Sequence, residues 1–161
     1  MTDELHSTVV NAFVARYAEL AESVTTMAAS LSEEQFWQKP FSFGNSFGHL
    51  VLHLTGNLNY YIGAEVGKTG YVRDRDREFA EPKRIPKTEA LAKFQDAVAT
   101  VIRTAQAQTA TDWAKSYNAV REEDAGNRFT IFLRCATHLH LHLGQMNYLC
   151  FALMGKTATG P

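Results

Sequence analysis

The long apolar stretch from Phe129 to Met154 constrains the fold more than any other part of the sequence. Its middle reads THLHLHLGQ, and such strict alternation of polar and apolar residues is typical of a half-buried strand. On both sides of this segment, however, apolar residues recur every three or four positions, as they do on a helix. A strand of this length would also be exceptional in a chain without other strand signals. The stretch therefore predicts a helix.

The helical interpretation divides the three histidines of this segment between two faces. At about 100° per residue, His142 lies roughly 40° from His138 around the helix axis, whereas His140 lies roughly 200° away. His138 and His142 therefore share a stripe with apolar residues that we expect to face the core. His140 falls on another side, with Thr137 and Asn147. The spacing predicts one pair of inward histidines, one turn apart.

Amphipathic periods elsewhere in the chain complete an all-α pattern. We predict long helices over about 3–30, 46–67, 88–108 and 127–154. Ser46 and Thr88 are suitable N-caps for the second and third of these. The charged segment 67–87 between them contains prolines and exceeds the usual connection length, which favours a functional loop. The predicted architecture is a four-helix bundle in a single domain, residues 1–155, followed by a flexible tail, residues 156–161.

Composition narrows the classes of function. A net charge of −1 without a basic helix face argues against nucleic-acid binding. The first residues lack the pattern of a signal peptide, and polar residues interrupt the longest apolar stretch, so we expect no membrane span. Cys135 and Cys150 would lie about 22 Å apart along one helix, too far for a disulfide. We therefore expect a cytoplasmic protein with reduced thiols.

The charge pattern of the fourth helix predicts a homodimer. Arg134 is the only formally charged residue between Phe129 and Met154. A helix that is apolar on nearly every side favours burial on more than one side, whereas a four-helix bundle leaves one side in solvent. We expect a second copy of the chain to cover part of this helix.

Histidine spacing on two helices indicates a metal site. Two histidines at i and i+4 can bind one divalent ion, although buried hydrogen bonds would explain His138 and His142 equally well. The second helix carries a similar pair, His49 and His53, and a bundle can bring one of these against the first pair. Three neutral imidazoles with an open position are typical of catalytic sites, and a shell without carboxylates favours zinc or nickel. The spacing does not choose between His49 and His53.

Two motifs resemble the DinB/YfiT-like superfamily of metalloenzymes. Its members begin the second helix at a serine, carry a histidine seven residues later, and read His-x-x-x-His-x-Gly-Gln on the fourth helix. In NSFGHLVLHLTGNL the residue seven positions after Ser46 is His53, and HLHLHLGQ matches the second motif. The resemblance implies a four-helix bundle with His53, His138 and His142 as metal ligands. Asn45 stands where the family usually has a tryptophan.

A further element is similar to a subgroup of that superfamily without an assigned function. The subgroup reads His-Leu-x-Gly-Asn followed by Arg-x-Arg-Asp-x-Glu-Phe, and this chain contains HLTGN and RDRDREF. The element makes Asp76 and Glu78 candidates for a structural or a catalytic role, the latter as a general acid or base above the metal. The charged loop could alternatively supply an anion-binding group there. We interpret the arginines of the same run as a solvated charged surface.

Three more residues are candidates for the surroundings of the metal. Asn57 lies four residues after His53, and Gln145 lies three residues after His142, so either could orient a ligand or a bound water. Ordinary hydrogen bonding within the helices would explain both equally well. Cys135 lies one turn before the histidine pair, where we expect a small buried side chain more than an accessory ligand.

The resemblance implies a metal-dependent enzyme acting on a small-molecule substrate. An open coordination position would activate water for hydrolysis, or a low-molecular-weight thiol for transfer or isomerisation. The alternative is a non-catalytic module that binds a small ligand or acts in a stress response, with a structural metal. A role on DNA is suggested only by the superfamily's name, and the charge of the chain disfavours it.

Overall fold

The computed structural model of the chain describes residues 2–80 and 85–155, so the predicted tail at 156–161 lies outside the described residues. In chain order the helices are α1 (Thr2–Ala29), α2 (Glu33–Trp37), α3 (Phe47–Leu58), α4 (Arg77–Ala80), α5 (Lys87–Gln106) and α6 (Arg128–Met154). A π-helical turn (Asn59–Ala64) continues α3, and a 3-10 turn spans Asp112–Ala114. The short strands β1 (Ser116–Tyr117) and β2 (Gly126–Asn127) pair antiparallel, with Ser116 opposite Asn127.

The four long helices pack as a bundle, which confirms the all-α prediction. Both α1 and α3 contact α5 and α6. The core between them is filled by large side chains from each long helix, including Tyr17, Leu20, Leu54, Leu58, Phe94, Phe132 and Leu139. The Tyr17 hydroxyl, which is buried with its ring, donates to the Phe132 carbonyl at 2.7 Å and joins α1 to α6. Within the described ranges, no helix has both the length and the apolar content needed to cross a membrane.

Helix α3 begins where the sequence predicted, with Ser46 as its N-cap. The Ser46 hydroxyl accepts from the His49 backbone N–H at 3.1 Å. Gly48 in the first turn lets α2 pack closely, because a Cβ there would lie only 2.8 Å from the Phe36 ring. The Trp37 ring covers the same end of α3, with its centroid 5.7 Å from that of His49. The start of α3 is therefore buried against α2.

The start of α5 differs from the prediction. Thr88 is not its N-cap: the helix begins at Lys87, and Pro86, whose side chain cannot cap, occupies the N-cap position. A carboxylate from another element replaces a local cap, since the Lys87 N–H donates to Glu33 Oε1 at 3.0 Å. The Lys87 ammonium also donates to the Leu31 carbonyl at 2.6 Å. A cap supplied from α2 leaves no local sequence signal.

The predicted long loop between α3 and α5 contains the short helix α4. This helix packs against α3 and buries the side chain of Glu78, which is 7% exposed. The connection is therefore not a solvated loop along its whole length, and it brings charged side chains to the surface of α3 that faces α6.

Candidate metal centre

The structure brings together His53 of α3 and His138 and His142 of α6. The Nε2 atoms of His53 and His138 are 3.0 Å apart. The His142 ring lies 5.1 Å from that of His53 and 4.5 Å from that of His138, between centroids. One ligand atom from each residue lies within 4.8 Å of the other two, so the group could hold a metal ion.

The atoms at the centre of this group fit a metal ion. His142 Nε2 is buried and has no hydrogen-bond partner among the described residues, which is rare for a buried polar atom. Two nitrogens that share a tetrahedral zinc at about 2.1 Å lie about 3.4 Å apart, close to the observed 3.0 Å. Three imidazoles also match the ligand preference of zinc and nickel.

Glu78 orients the ring of His53. Its Oε2 atom lies 2.9 Å from His53 Nδ1, so the protonated Nδ1 donates to the carboxylate. The lone pair of Nε2 then faces His138 and His142. A carboxylate at the outer nitrogen of a metal-binding histidine sets its tautomer and increases its basicity. Glu78, a predicted acid or base, thus contacts the ring nitrogen that points away from the other two histidines.

Arg73 holds the Glu78 carboxylate with two parallel hydrogen bonds. Its Nε donates to Oε1 at 2.6 Å and its Nη2 to Oε2 at 2.9 Å. Burial raises the pKa of Glu78, but the hydrogen bonds from His53 and Arg73 outweigh burial and lower the pKa below its usual value. The carboxylate is therefore ionised. The Arg73 Nη2 also lies 3.3 Å from His53 Nδ1, a close approach of two donors when Nδ1 is protonated.

The prediction that the arginines of this run are solvated is wrong for Arg73. Its side chain is only 8% exposed. The charge pattern alone did not reveal this burial because it depends on α4 folding back onto α3.

Gly56 of α3 makes room for the same carboxylate. A Cβ at this position would clash with Glu78 Oε1 and lie 2.9 Å from Glu78 Cδ and 3.2 Å from Arg73 Nε. Phe79 packs beside the pair, with its ring centroid 5.0 Å from that of His53. Arg73, Gly56 and Phe79 were not among the predicted site residues, although all three belong to the subgroup element in the sequence.

The outer nitrogen of His142 has a local partner. Gln145, one turn later on α6, places its Oε1 2.7 Å from His142 Nδ1 and accepts from it, which leaves Nε2 deprotonated. Gln145 therefore contacts one of the three grouped histidines directly. Asn57 instead faces a cavity beside His53 and His138, and its Oδ1 has no hydrogen-bond partner within the described part of the chain.

The surroundings keep the α6 histidines neutral. Burial, with the charges of His142, His53 and two arginines, lowers the pKa of His138 to about 4. Burial also lowers the pKa of His142, and the hydrogen bond that its Nδ1–H donates to Gln145 Oε1 offsets part of this effect. A metal ion binds the neutral form of imidazole, so few protons compete for these nitrogens at pH 7.

The other two histidines of the motifs lie elsewhere. His49 Nδ1 is 2.8 Å from the Ser46 hydroxyl, and its ring packs against Trp37. His140 is exposed on the opposite face of α6, where its Nδ1 accepts from Arg16 at 3.0 Å. The separation of His140 from the pair on α6 agrees with the helical period of the sequence.

Two further candidates take different positions. Asp76 is exposed on the segment before α4, and its backbone carbonyl accepts from the Phe79 N–H. Cys135 is 2% exposed and lines the same cavity as Asn57. Burial raises the pKa of its thiol, which is therefore neutral at pH 7. Cys135 is thus a small buried side chain, as expected.

Similarity to known proteins identifies a family. A family model described as the DinB superfamily matches residues 15–146, a range that includes all three histidines and the loop that carries Glu78. No curated protein matches the chain.

Proposed function

We propose that this chain, which belongs to the DinB superfamily, is a metal-dependent enzyme whose divalent ion is held by His53, His138 and His142. When bound, such an ion supplies Lewis-acid chemistry and activates water or a thiol at an open coordination position. The observation that carries the proposal is the buried Nε2 of His142, which has no hydrogen-bond partner in the described ranges and lies beside two other imidazoles.

The ligand count supports a catalytic ion over a structural one. Structural zinc sites use four protein ligands, whereas catalytic sites keep one position for water or substrate. Among the residues that the structure describes, the group able to hold an ion consists of three histidines. A cavity of about 190 Å³ reaches His53 and His138, and a small substrate or the thiol of a co-substrate would enter there.

The protein side chains have separate tasks in this proposal. The three histidines bind the ion, while Glu78 and Gln145 hold two of the rings through their outer nitrogens. Asp76 remains a candidate acid or base at the exposed edge. The reaction is hydrolysis, or a transfer or isomerisation assisted by a low-molecular-weight thiol, and zinc or nickel is the expected ion.

Metal analysis of matched variants tests the proposal. Protein purified without added metal, then incubated with zinc or nickel and desalted, should retain about one ion per chain. His142→Ala should lose this ion because only two ligands remain. His140→Ala is the control, since it removes the same side chain from the exposed face of the same helix. Wild-type protein that refuses both metals, or equal loss in both variants, would contradict the proposal.

We also propose a cytoplasmic homodimer formed through α6. Leu133, Leu141 and Tyr148 are large apolar residues of this helix, and they are 47%, 61% and 74% exposed in the single chain. A second copy would cover them. Size-exclusion chromatography with light scattering should give twice the mass of the chain, and a monomer at micromolar concentration would exclude the dimer.

A further inference from the structure

A cluster of arginines lines the cavity beside the candidate metal centre. The cavity lies between α3, the segment before α4, the loop between β1 and β2, and α6. Arg73, Arg75, Arg121 and Arg134 line it, together with one carboxylate, that of Glu122. A chain with a net charge of −1 thus places four arginines around the cavity beside the three histidines.

Two of these arginines pair with carboxylates, and for the other two the described residues supply no carboxylate partner. Arg73 pairs with Glu78, and Arg134 pairs with Glu122 at 2.8 Å and with Asp124 at 2.6 Å. Within the described residues no salt bridge involves Arg75 or Arg121. Arg75 lies over the Phe79 ring, 5.5 Å from its centroid, an arrangement that leaves the guanidinium edge available.

The loop that carries Arg121 is held in place. The Tyr61 hydroxyl donates to the Val120 carbonyl at 3.1 Å, and the two ion pairs of Arg134 hold the following residues on α6. Arg121 itself has a φ of 72°, a left-handed backbone that is unfavourable for a residue with a Cβ. Such conformations persist where the surroundings impose them, and they are frequent at ligand sites.

A buried acceptor points to a ligand in the same cavity. Asn57 is 6% exposed, and its Oδ1 finds no hydrogen-bond partner in the part of the chain that the structure describes. A buried amide oxygen without a donor is unfavourable, so a ligand group that donates a hydrogen bond would be stabilised there. Asn57 lies beside His53 and His138, which places this donor next to the metal centre.

A second cavity continues the first on its outer side. Its volume is about 370 Å³, and it shares Tyr61, Arg73, Arg75 and Arg121 with the polar cavity. Its remaining walls include the aromatic rings of Tyr60 and Tyr71. The arginines therefore lie between the cavity beside the histidines and the second cavity, which is lined by aromatic rings.

We propose that the two cavities bind a small organic oxyanion, a carboxylate or phosphate ester with an aromatic portion. Its anionic group contacts Arg75 and Arg121, and its ring packs on the tyrosines. The planar fork of a guanidinium group can donate two parallel hydrogen bonds to two oxygens of a carboxylate or a phosphate. The role of this molecule as the substrate rests on the proposed metal enzyme, whereas its binding does not.

Calorimetric titration of the metal-free full-length chain tests the proposal. The probes are benzoate and phenyl phosphate, with inorganic phosphate and benzyl alcohol as the anionic and aromatic parts alone. Benzoate or phenyl phosphate should bind at least about tenfold more tightly than either part, because both cavities are used. Arg75→Gln and Arg121→Gln should each weaken binding about tenfold or more. Both side chains lie outside the ion pairs, so these variants should fold.

Arg103→Gln is the matched control, an exposed arginine of α5 that should leave the titration unchanged. Equal weakening in this variant, equally tight binding of benzyl alcohol, or no binding of benzoate and phenyl phosphate at millimolar concentration would overturn the proposal. Elemental analysis separates it from the proposed function. If the protein takes up zinc but binds neither aromatic anion, the proposed metal site stands and the proposed anion site is wrong. If it binds the anions but takes up no zinc, the anion site stands and the metal site is wrong.

Discussion

Helices α3 and α6 carry the same histidine spacing but use it differently. On α6 both members of the pair, His138 and His142, join the three-histidine group that could hold a metal ion. On α3 only His53 joins, whereas His49, one turn earlier, contacts the Ser46 cap and the Trp37 ring. Spacing of i and i+4 places two side chains on one stripe, but each turn of about 5.4 Å can face a different neighbour. The motif alone therefore does not identify the ligands.

The neighbours of α3 explain the difference. Its first turn is covered by α2, which approaches closely because Gly48 has no side chain. The turn that carries His53 instead faces α6 and the buried carboxylate of Glu78. The residues that contact the Nδ1 atoms of the histidines also differ in their distance along the chain. Glu78 lies 25 positions after His53, whereas Gln145 lies three positions after His142.

Removing one histidine of the α3 pair should have the largest effect on metal binding. We expect His53→Ala to weaken zinc affinity by more than about 100-fold, because it removes a ligand. Replacing a residue that only contacts a ligand costs less than this. We expect His49→Ala to keep the metal and to lower the free energy of unfolding by about 1–3 kcal/mol, because its hydrogen bond and packing are lost. Competition with a coloured chelator and urea unfolding measure the two effects. Comparable zinc loss in His49→Ala would remove the distinction.

Replacing the residues that contact the Nδ1 atoms of the histidines should have an intermediate effect on zinc affinity. The effect should be larger for Glu78, which is distant in sequence from His53, than for Gln145, which is close to His142. Glu78→Gln should weaken zinc affinity by about 10–100-fold, because it removes the charge that polarises His53 and holds Arg73. Gln145→Ala should weaken it by less than about tenfold, because the exposed His142 bond is replaced by water. Glu89→Gln, an exposed carboxylate paired with Lys93 on α5, is the control. The same chelator competition applies, and a larger loss in Gln145→Ala than in Glu78→Gln would reverse the interpretation.

The two interior glycines that flank the site should respond to alanine with opposite signs, and their effects should appear in stability and not in zinc affinity. At Gly144 of α6 a Cβ meets nothing within 4 Å, so alanine should raise the free energy of unfolding by about 0.5–1 kcal/mol. At Gly56 of α3 the Cβ would clash with Glu78, so alanine should lower it by about 1–3 kcal/mol. Urea unfolding of the metal-free proteins measures both. Stabilisation by Gly56→Ala would show that the carboxylate does not need this space.

Much of the architecture could be predicted because it depends on periodicity. The helix through THLHLHLGQ is confirmed as part of α6, and the all-α fold and the superfamily are confirmed as well. The cap of α5 was missed because Glu33 supplies it from another element. The burial of Arg73 was missed because a charged run carries no signal of the helix against which it packs.

The sequence by itself determined the features that depend on residues within one or two turns. These are the helical periods, the Ser46 cap, and the placement of His138 and His142 on one stripe with His140 on another. Only the tertiary structure decided how Arg73 and Glu78 reach His53, because their positions depend on how the loop after α3 folds back onto it. Side-chain contacts between segments 20 or 25 positions apart arise from packing, which no local pattern encodes.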